Sequence, residues 1–559
     1  MALKDTASRA LCTLTLSALA PSFGCSDHEP PAIAEGDAHF VARFTATGPA
    51  TGRLIGWNLG RGTYYAPEQN AVHPEWRTPA RVLAAARLRE AVAPAGPPPY
   101  VRFSGLQIDG VVGGDGYHFW DFVRPGRTPS PADNMAVADY AALAEEIGGE
   151  LSVTLNFGSG TAAEAANYAR YLTGADPEDP YVAARIQGGR SEPYPVRVFE
   201  IGNEVYGFWN TGFSSEGAYS FANPSAANRG DPAWSGKPSG NAADFAARAL
   251  EYVRAVQAVL PSARFRVPLS QANMDAWGGL EAALSALQPL LIDPAVDAVV
   301  VHFYKADDAT TLGVPDVNAP EFILGGSELF RSRFEELRTR LVALARAEPL
   351  ELALTEYHVA DGFSRGKFLL GDTAAVGLGL ADMLVLFAQL GVEHACQHLS
   401  LAFGDTQELL LESWYNPFLA DAGGDLIERP AYTVTRLFAN MLLPREGELV
   451  AVKAPATSVA FAEQSQTYPL VHAAAFASAD GREGSLFLLH RDLHQSLTAT
   501  FDLEEGFAVV EARLWAPTRF DQDASQSAIA VVDSPFRLRG RRVQVVIPPH
   551  SVLALRVRR

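Results

Sequence analysis

The sequence predicts a (β/α)8 barrel followed by an antiparallel β-sandwich, an α/β class fold with an all-β appendage. Three observations carry this. From Arg53 onward, short apolar runs alternate with helix-like segments about eight times over roughly 350 residues, the cadence of parallel strands joined by crossover helices. No Gly-x-Gly-x-x-Gly turn follows the first run, which weighs against a doubly wound, dinucleotide-binding sheet. Beyond Arg429-Pro430 and a last helix, AYTVTRLFANML, the chain changes to short runs separated by turn residues, the pattern of a sandwich.

The barrel is assigned to residues 50–440. Its strand candidates are RLIGWN (Arg53–Asn58), YVRFSG (Tyr100–Gly105), LSVTLNFG (Leu151–Gly158) and VRVFEIGN (Val196–Asn203). They continue with RFRVPLS (Arg264–Ser270), DAVVVHFY (Asp297–Tyr304), LELALTEY (Leu350–Tyr357) and EHACQHLS (Glu393–Ser400). Two helices between them are clear. Ser327–Ala347 places Phe330, Phe334, Leu337, Leu341 and Leu344 on one face. A second starts at the cap Asn241, carries Phe245, Ala249, Tyr252, Val256 and Leu260, and stops at Pro261. Residues 441–559 form the sandwich, joined by a strand from within 36–48 that contains AHFVARF.

Composition bounds the function. A chain of 559 residues is too long for one core, and its 48% hydrophobic and 19% charged content is that of a folded globular protein. A formal charge of −19 offers no basic face for phosphates and excludes nucleic acid as a partner. Residues 1–30 read as a secretory signal: Lys4 and Arg9, an apolar run from Ala10 to Ala20, then small residues. FGCSD resembles a lipoprotein processing site, with Cys25 as the lipidated residue and the sole link to a membrane. The expected location is therefore extracytoplasmic: secreted, periplasmic or lipid-anchored. Of the other cysteines, Cys12 lies in the signal and Cys396 in an apolar stretch, so neither a disulfide framework nor a zinc site is expected.

In such a barrel, chemistry sits at the C-terminal ends of the strands. Strand 4 ends in Asn203-Glu204 and strand 7 in Glu356-Tyr357. Strand 6 ends in His302-Phe303-Tyr304; strand 1 carries Trp57, strand 2 Arg102, strand 3 Asn156, and strand 8 Gln397 and His398. A lone Asn-Glu is ordinarily a solvated turn, and His302 and Tyr304 could be packing. Two glutamates delivered to one rim have a specific use: one carboxylic acid protonates a glycosidic oxygen while one carboxylate attacks the anomeric carbon. Retaining enzymes hold the pair about 5–5.5 Å apart, a span opposing strands can set. Arg102 beside a carboxylate favours its ionised form, and an amide next to the acid can bond a sugar hydroxyl. The long segment Val205–Gly240 adds Tyr206, Phe208, Trp209, Phe213 and Trp234, rings that suit either sugar faces or packing on one another.

These motifs resemble those of the (β/α)8 retaining glycosidases that place acid/base and nucleophile on strands 4 and 7, and within that clan the family 51 α-L-arabinofuranosidases. VFEIGNE is similar to that family's Trp-Glu-Ile-Gly-Asn-Glu, LALTEYHV to its nucleophile strand, and FGSGTAAEAANYARYL to its Gly-Thr-Gly-Thr segment and following helix. The resemblance spans about residues 50 to 559 and implies Glu204 as acid/base, Glu356 as nucleophile and Asn203 as a sugar-hydroxyl ligand. It also implies His302 and Tyr304 in the subsite that holds the reacting sugar. Two departures concern the sugar: GWNLGRG stands where the family has a Glu after strand 1, and RFSGLQIDG replaces its Pro-Gly-Gly-Asn segment.

The sequence therefore predicts a retaining glycoside hydrolase, α-L-arabinofuranosidase-like, with a carbohydrate substrate from plant-type polysaccharides and no cofactor. The alternatives are an endo-glycanase or β-glycosidase of the same clan, and a non-catalytic carbohydrate-binding surface lipoprotein, against which the spaced acid pair speaks.

Overall fold

A computed structural model gives the architecture. It describes residues 38–49, 52–59, 79–93, 97–103, 137–155, 157, 161–187, 189–204, 241–269, 274, 277–314, 316–360, 368–399, 417–420, 426–443, 445–453, 458–461, 464–524 and 527–559. The signal-like segment with Cys25, Asn156 and the aromatic segment Val205–Gly240 lie outside these residues.

Eight parallel strands close into a barrel: Gly56–Leu59, Tyr100–Phe103, Glu150–Leu155, Val196–Ile201, Arg264–Pro268, Val296–Tyr304, Glu351–His358 and His394–Leu399, called strands 1 to 8. Strand 1 pairs with strand 8 and completes the ring, with Trp57 opposite Gln397 and Asn58 opposite His398. Strand 1 is displaced from its sequence reading because Gly52–Leu54 forms a 3-10 turn before it.

Inside the barrel, side chains alternate inward and outward along each strand. On strand 6, Ala298 and Val300 pack inward with Ala353, whereas Val299, Val301 and Phe303 join the large core between strands and helices. The helices bury the outer faces of the strands. Ala242–Gln257 starts where Asn241 accepts a hydrogen bond from the Asp244 N–H, and Thr161 and Glu164 close a capping box on Ala162–Thr173. Glu328–Val342 ends a turn earlier than its apolar periodicity predicts. Ala374–Gln389 is apolar on every side but for Asp382 and is buried from Ala374 to Ala388, because one side faces the barrel and the other the sandwich. Among the described residues no helix is long and apolar enough to cross a membrane.

Nine C-terminal strands, from Arg445–Lys453 to Ser551–Arg558, join Ala38–Pro49 in a ten-stranded, largely antiparallel sheet, while Ser458–Phe461 and Gln464–Pro469 pair as a separate hairpin. That N-terminal strand runs antiparallel to Arg445–Lys453 and parallel to Leu497–Leu503. The sheet folds over one apolar core to which both halves contribute, including Phe40, Leu488, Phe501, Leu514, Val545 and Leu555. Its other face meets the barrel helices: Phe438 packs edge-on against Phe476 and Phe487, and a Cβ at Gly377 would stand 2.8 Å from the Trp515 ring.

A buried ion cluster pins this seam. Asp382 accepts from Lys305 Nζ at 2.7 Å and from the Ser327 N–H at 3.0 Å. It also meets His472 at 3.0 Å and Arg491, both from the sandwich. Burial alone would push the Asp382 carboxyl up, but Lys305, Arg491 and His472 hold it well below the usual carboxylate range.

Candidate active site

Strand 4 ends in a turn that its own glycine makes. Gly202 has φ +80°, freely available to a residue without a Cβ, and Glu204 follows at φ +43°, where a side chain is strained. This brings Asn203 and Glu204 back over the barrel mouth. Strand 7 uses a different device. Its register slips against strand 6 between Val301 and His302, and against strand 8 between Leu354 and Tyr357. The bulge lets consecutive residues, Thr355 and Glu356, both reach into the barrel, while Tyr357 packs outward against Phe387.

Arg102, fully buried on strand 2, connects these ends. Its Nε and Nη2 donate to the two Glu200 oxygens at 2.9 and 2.7 Å. Nη2 also donates to Asn203 Oδ1 at 2.6 Å, and Nη1 to Glu356 Oε1 at 2.6 Å and Asn58 Oδ1 at 3.2 Å. One rigid guanidinium thus orients the amide beside Glu204 and one oxygen of Glu356. The other oxygen of Glu356 accepts from the Tyr304 hydroxyl at 2.8 Å.

His302 joins the two glutamates. Its Nδ1 is 2.9 Å from Glu204 Oε1 and 3.5 Å from Glu356 Oε2, and its Nε2 is 3.2 Å from the Thr355 hydroxyl. His398 Nδ1 stands 3.6 Å from Glu356 Oε2 and 2.8 Å from Asn58 Nδ2. Burial raises the cost of a charge on Glu356, yet His302, His398 and Arg102 outweigh it and hold the carboxyl well below the usual range. Burial works against a charge on His302 as well, but Glu356 and Glu204 overcome it and raise its pKa. Glu356 is therefore an ionised carboxylate with both oxygens held, and Glu204 is the more exposed partner, at 13% against 6%.

A carboxylate oxygen of Glu204 and one of Glu356 lie within 4.8 Å of each other and of a His302 ring nitrogen. This trio, and Glu351, Glu393 and His394 at the opposite end of the barrel, are the groups among the described residues that could offer three ligands to a metal ion. In both, a histidine nitrogen already meets a carboxylate and an arginine, Arg102 or Arg266, neutralises charge nearby.

The structure brings together Glu204, Glu356, Asn203, His302, Tyr304 and Arg102. Arg102 serves as the hub of the network, and its burial keeps it from the surface that a ligand meets. Two candidates stand outside. Trp57 is buried in the outer core, and Gln397 points to the helix Pro430–Met441, where its Oε1 accepts from the Thr435 hydroxyl at 2.8 Å. The reason is strand parity: the inward residues are the next ones along, Asn58 and His398. Glu200 and Thr355 are further members that the sequence reading passed over. A carboxylate inside the apolar run VRVFEI was a signal for Glu200, whereas nothing local announced the bulge that turns Thr355 and Glu356 inward together.

Comparison with known proteins follows this geometry. No family model matches the chain. α-L-Arabinofuranosidase C of Emericella nidulans is 26% identical over 295 residues, 47% of this chain and 51% of that protein. A probable α-L-arabinofuranosidase C of Aspergillus niger is 26% identical over 248 residues, 42% of this chain and 41% of that protein. The chain thus spans about half the length of the curated relatives it matches. Among solved structures, a family 51 α-L-arabinofuranosidase from Bifidobacterium longum superposes with TM-score 0.68 at 17% identity, covering 93% of this chain and 99% of that one. An α-L-arabinofuranosidase from Thermotoga maritima in complex with arabinose gives TM-score 0.63 at 17% identity, covering 93% and 100%. The chain therefore has the fold of the family 51 α-L-arabinofuranosidase structures, an eight-stranded barrel with its sandwich, and distant sequence relatives among the α-L-arabinofuranosidases.

Proposed function

We propose that the protein is a retaining glycoside hydrolase of the α-L-arabinofuranosidase type, acting on plant-type polysaccharides or oligosaccharides. The observation that carries this is the pair of carboxylate oxygens within 4.8 Å, one on an ionised Glu356 and one on Glu204. That spacing suits direct attack; inverting enzymes keep their carboxyls about 6.5–9.5 Å apart to admit a water. Glu356 attacks the anomeric carbon as Glu204 gives its proton to the departing oxygen. Water then attacks the glycosyl ester, Glu204 takes its proton, and Glu356 is released as a carboxylate. Asn203, with its Oδ1 held by Arg102, would donate from its amide nitrogen to a sugar hydroxyl beside the reacting carbon.

The test is a panel of aryl glycosides, with Glu356→Ala and Glu204→Ala beside the parent. Cleavage of the arabinofuranoside, its loss in Glu356→Ala, and azide rescue of that variant with inverted product support the reading. An endo-acting reading stays in the test, because a bifunctional glucanase-xylanase shares this fold at TM-score 0.53 and 12% identity. Xylan or glucan cleavage without aryl arabinofuranoside cleavage would select it. Silence on every substrate would select the carbohydrate-binding protein. Residues 1–30 are assigned to export, with a lipid on Cys25; cell fractionation of the parent and Cys25→Ala decides this.

A further inference from the structure

Glu200 is fully buried, and both its oxygens are taken by Arg102. A buried ion pair of this kind is no general aid to stability, since apolar residues of like volume serve as well or better. Its place beneath the nucleophile calls for a chemical reason, and charge counting through the reaction supplies one. This inference rests on the double displacement proposed above.

Before reaction, Glu356 and Glu200 are two carboxylates around one guanidinium. When a Glu356 oxygen bonds to the anomeric carbon, the pair from the broken glycosidic bond leaves on the departing oxygen, which takes the Glu204 proton. Glu356 becomes a neutral ester, and Glu204, its proton given up, becomes a carboxylate that His302 Nδ1 meets at 2.9 Å. Arg102 then keeps a single anionic partner, and that partner is Glu200. Were Glu200 uncharged, the same step would leave a buried, unpaired cation, one of the costliest states a protein interior can hold. When water cleaves the ester, the electron pair returns to Glu356 and the first state is restored.

We propose that Glu200 is a positioning residue and standing counter-ion: it holds Arg102 in place and keeps it paired while the charge of Glu356 is consumed in the glycosyl–enzyme. Asn58 and Asn203, the other side chains on the guanidinium, are neutral and cannot take this part. Among the described residues, the other ionisable groups near Glu356 are Glu204, His302, His398 and the buried Cys396, with Tyr304 at hydrogen-bond distance; His302 also nears Glu200, at 3.9 Å, and Cys396 lies close enough to feel both carboxylates.

A merely structural Glu200 and a counter-ion Glu200 differ in which half-reaction they affect. In Glu200→Gln the first half creates the unpaired cation, so glycosylation slows by about 100-fold. The second half removes that cation, so hydrolysis of the ester is unchanged or faster. With a dinitrophenyl glycoside of the sugar that the parent cleaves best, the burst of phenol release expected of the parent disappears. Arg102, no longer shared, acts on Glu356 alone, so the acid limb of kcat/KM moves to lower pH. Glu200→Asp keeps the charge at shorter reach: absolute rates fall, but the ratio of the two half-reactions and the acid limb stay at the parent's values. Equal slowing of both halves in Glu200→Gln with an unmoved acid limb overturns the inference. If Glu200→Gln does not fold, a changed half-reaction ratio in Glu200→Asp overturns it, and an unchanged one supports it. A parent that cleaves nothing defeats the proposed function instead, before any variant is made.

Discussion

Two buried charge clusters divide the labour in this molecule. At the barrel mouth a cation, Arg102, is shared among Glu200, Glu356 and two amides. At the barrel–sandwich seam an anion, Asp382, is shared among Lys305, Arg491 and His472. Their chemistry is nearly mirrored, and their exposure is not. Lys305, Asp382 and Arg491 are sealed completely, whereas Glu356 and Glu204 keep part of their side chains open. The seam cluster can only be broken by separating the domains, so its energy goes into anchoring. The mouth cluster has a member that a ligand can reach, so its energy can be redirected into a reaction. Tyr304 and Lys305 are consecutive, one in each cluster, so the seam also fixes the residue that holds Glu356.

The comparison can be broken at either end. Glu356→Gln should have the largest effect on activity, a fall in kcat/KM of about 10⁴-fold or more, with the fold intact because Arg102 keeps Glu200. Steady-state kinetics beside a thermal melt checks both halves. Asp382→Asn should do the reverse: buried Lys305 loses its carboxylate and Arg491 keeps only Glu328, costing about 3–5 kcal/mol of stability, read as a lowered Tm and denaturant midpoint. A variant that melts like the parent would remove the anchoring role.

Glu204→Gln should lower turnover by about 10²–10⁴-fold on glycosides with poor leaving groups and far less on activated ones, which need no proton. A leaving-group series measures the difference; a uniform loss would deny Glu204 the acid role.

Stability should also decline as pH falls. Burial pushes His358 to about 3 and His394 and His472 to about 4, against an ordinary value of 6.5. Between pH 6.5 and about 4 the unfolded chain takes up protons that the folded one refuses, so the native state loses ground throughout that window. His472→Gln should flatten the slope of Tm against pH there. Asp382, with a depressed carboxyl, protects the seam above its unfolded value of about 3.8 and fails as pH falls below it.

The smallest effect sharpens the parity of strand 8. Gln397→Met should cost about 1 kcal/mol of stability through the lost Thr435 bond and leave kcat/KM alone. His398→Ala should lower kcat/KM several-fold at little cost in stability. The opposite pattern would place Gln397 in the site.

The strand-and-helix cadence, the change of texture after Pro430 and the exits of strands 4, 6 and 7 were legible in the sequence, because they depend on hydrophobic period and turn residues, which are local. So was the placing of Glu204 and Glu356 at one rim, once the strands were counted. Which residue of each strand faces inward was not. Trp57 and Gln397 carry more conspicuous side chains than Asn58, but parity in a closed ring depends on the pairing of strand 1 with strand 8, whose residues lie far apart in the chain. The bulge at Thr355–Glu356 likewise exists only as a mismatch with the two neighbouring strands. Glu200 acquires a partner only when Arg102, from another strand, is brought against it. Local residue patterns set the elements and the chemical types available to the barrel mouth. Which of them meet is set by packing, because charge pairing and side-chain facing are properties of strands brought together, and no single strand contains them.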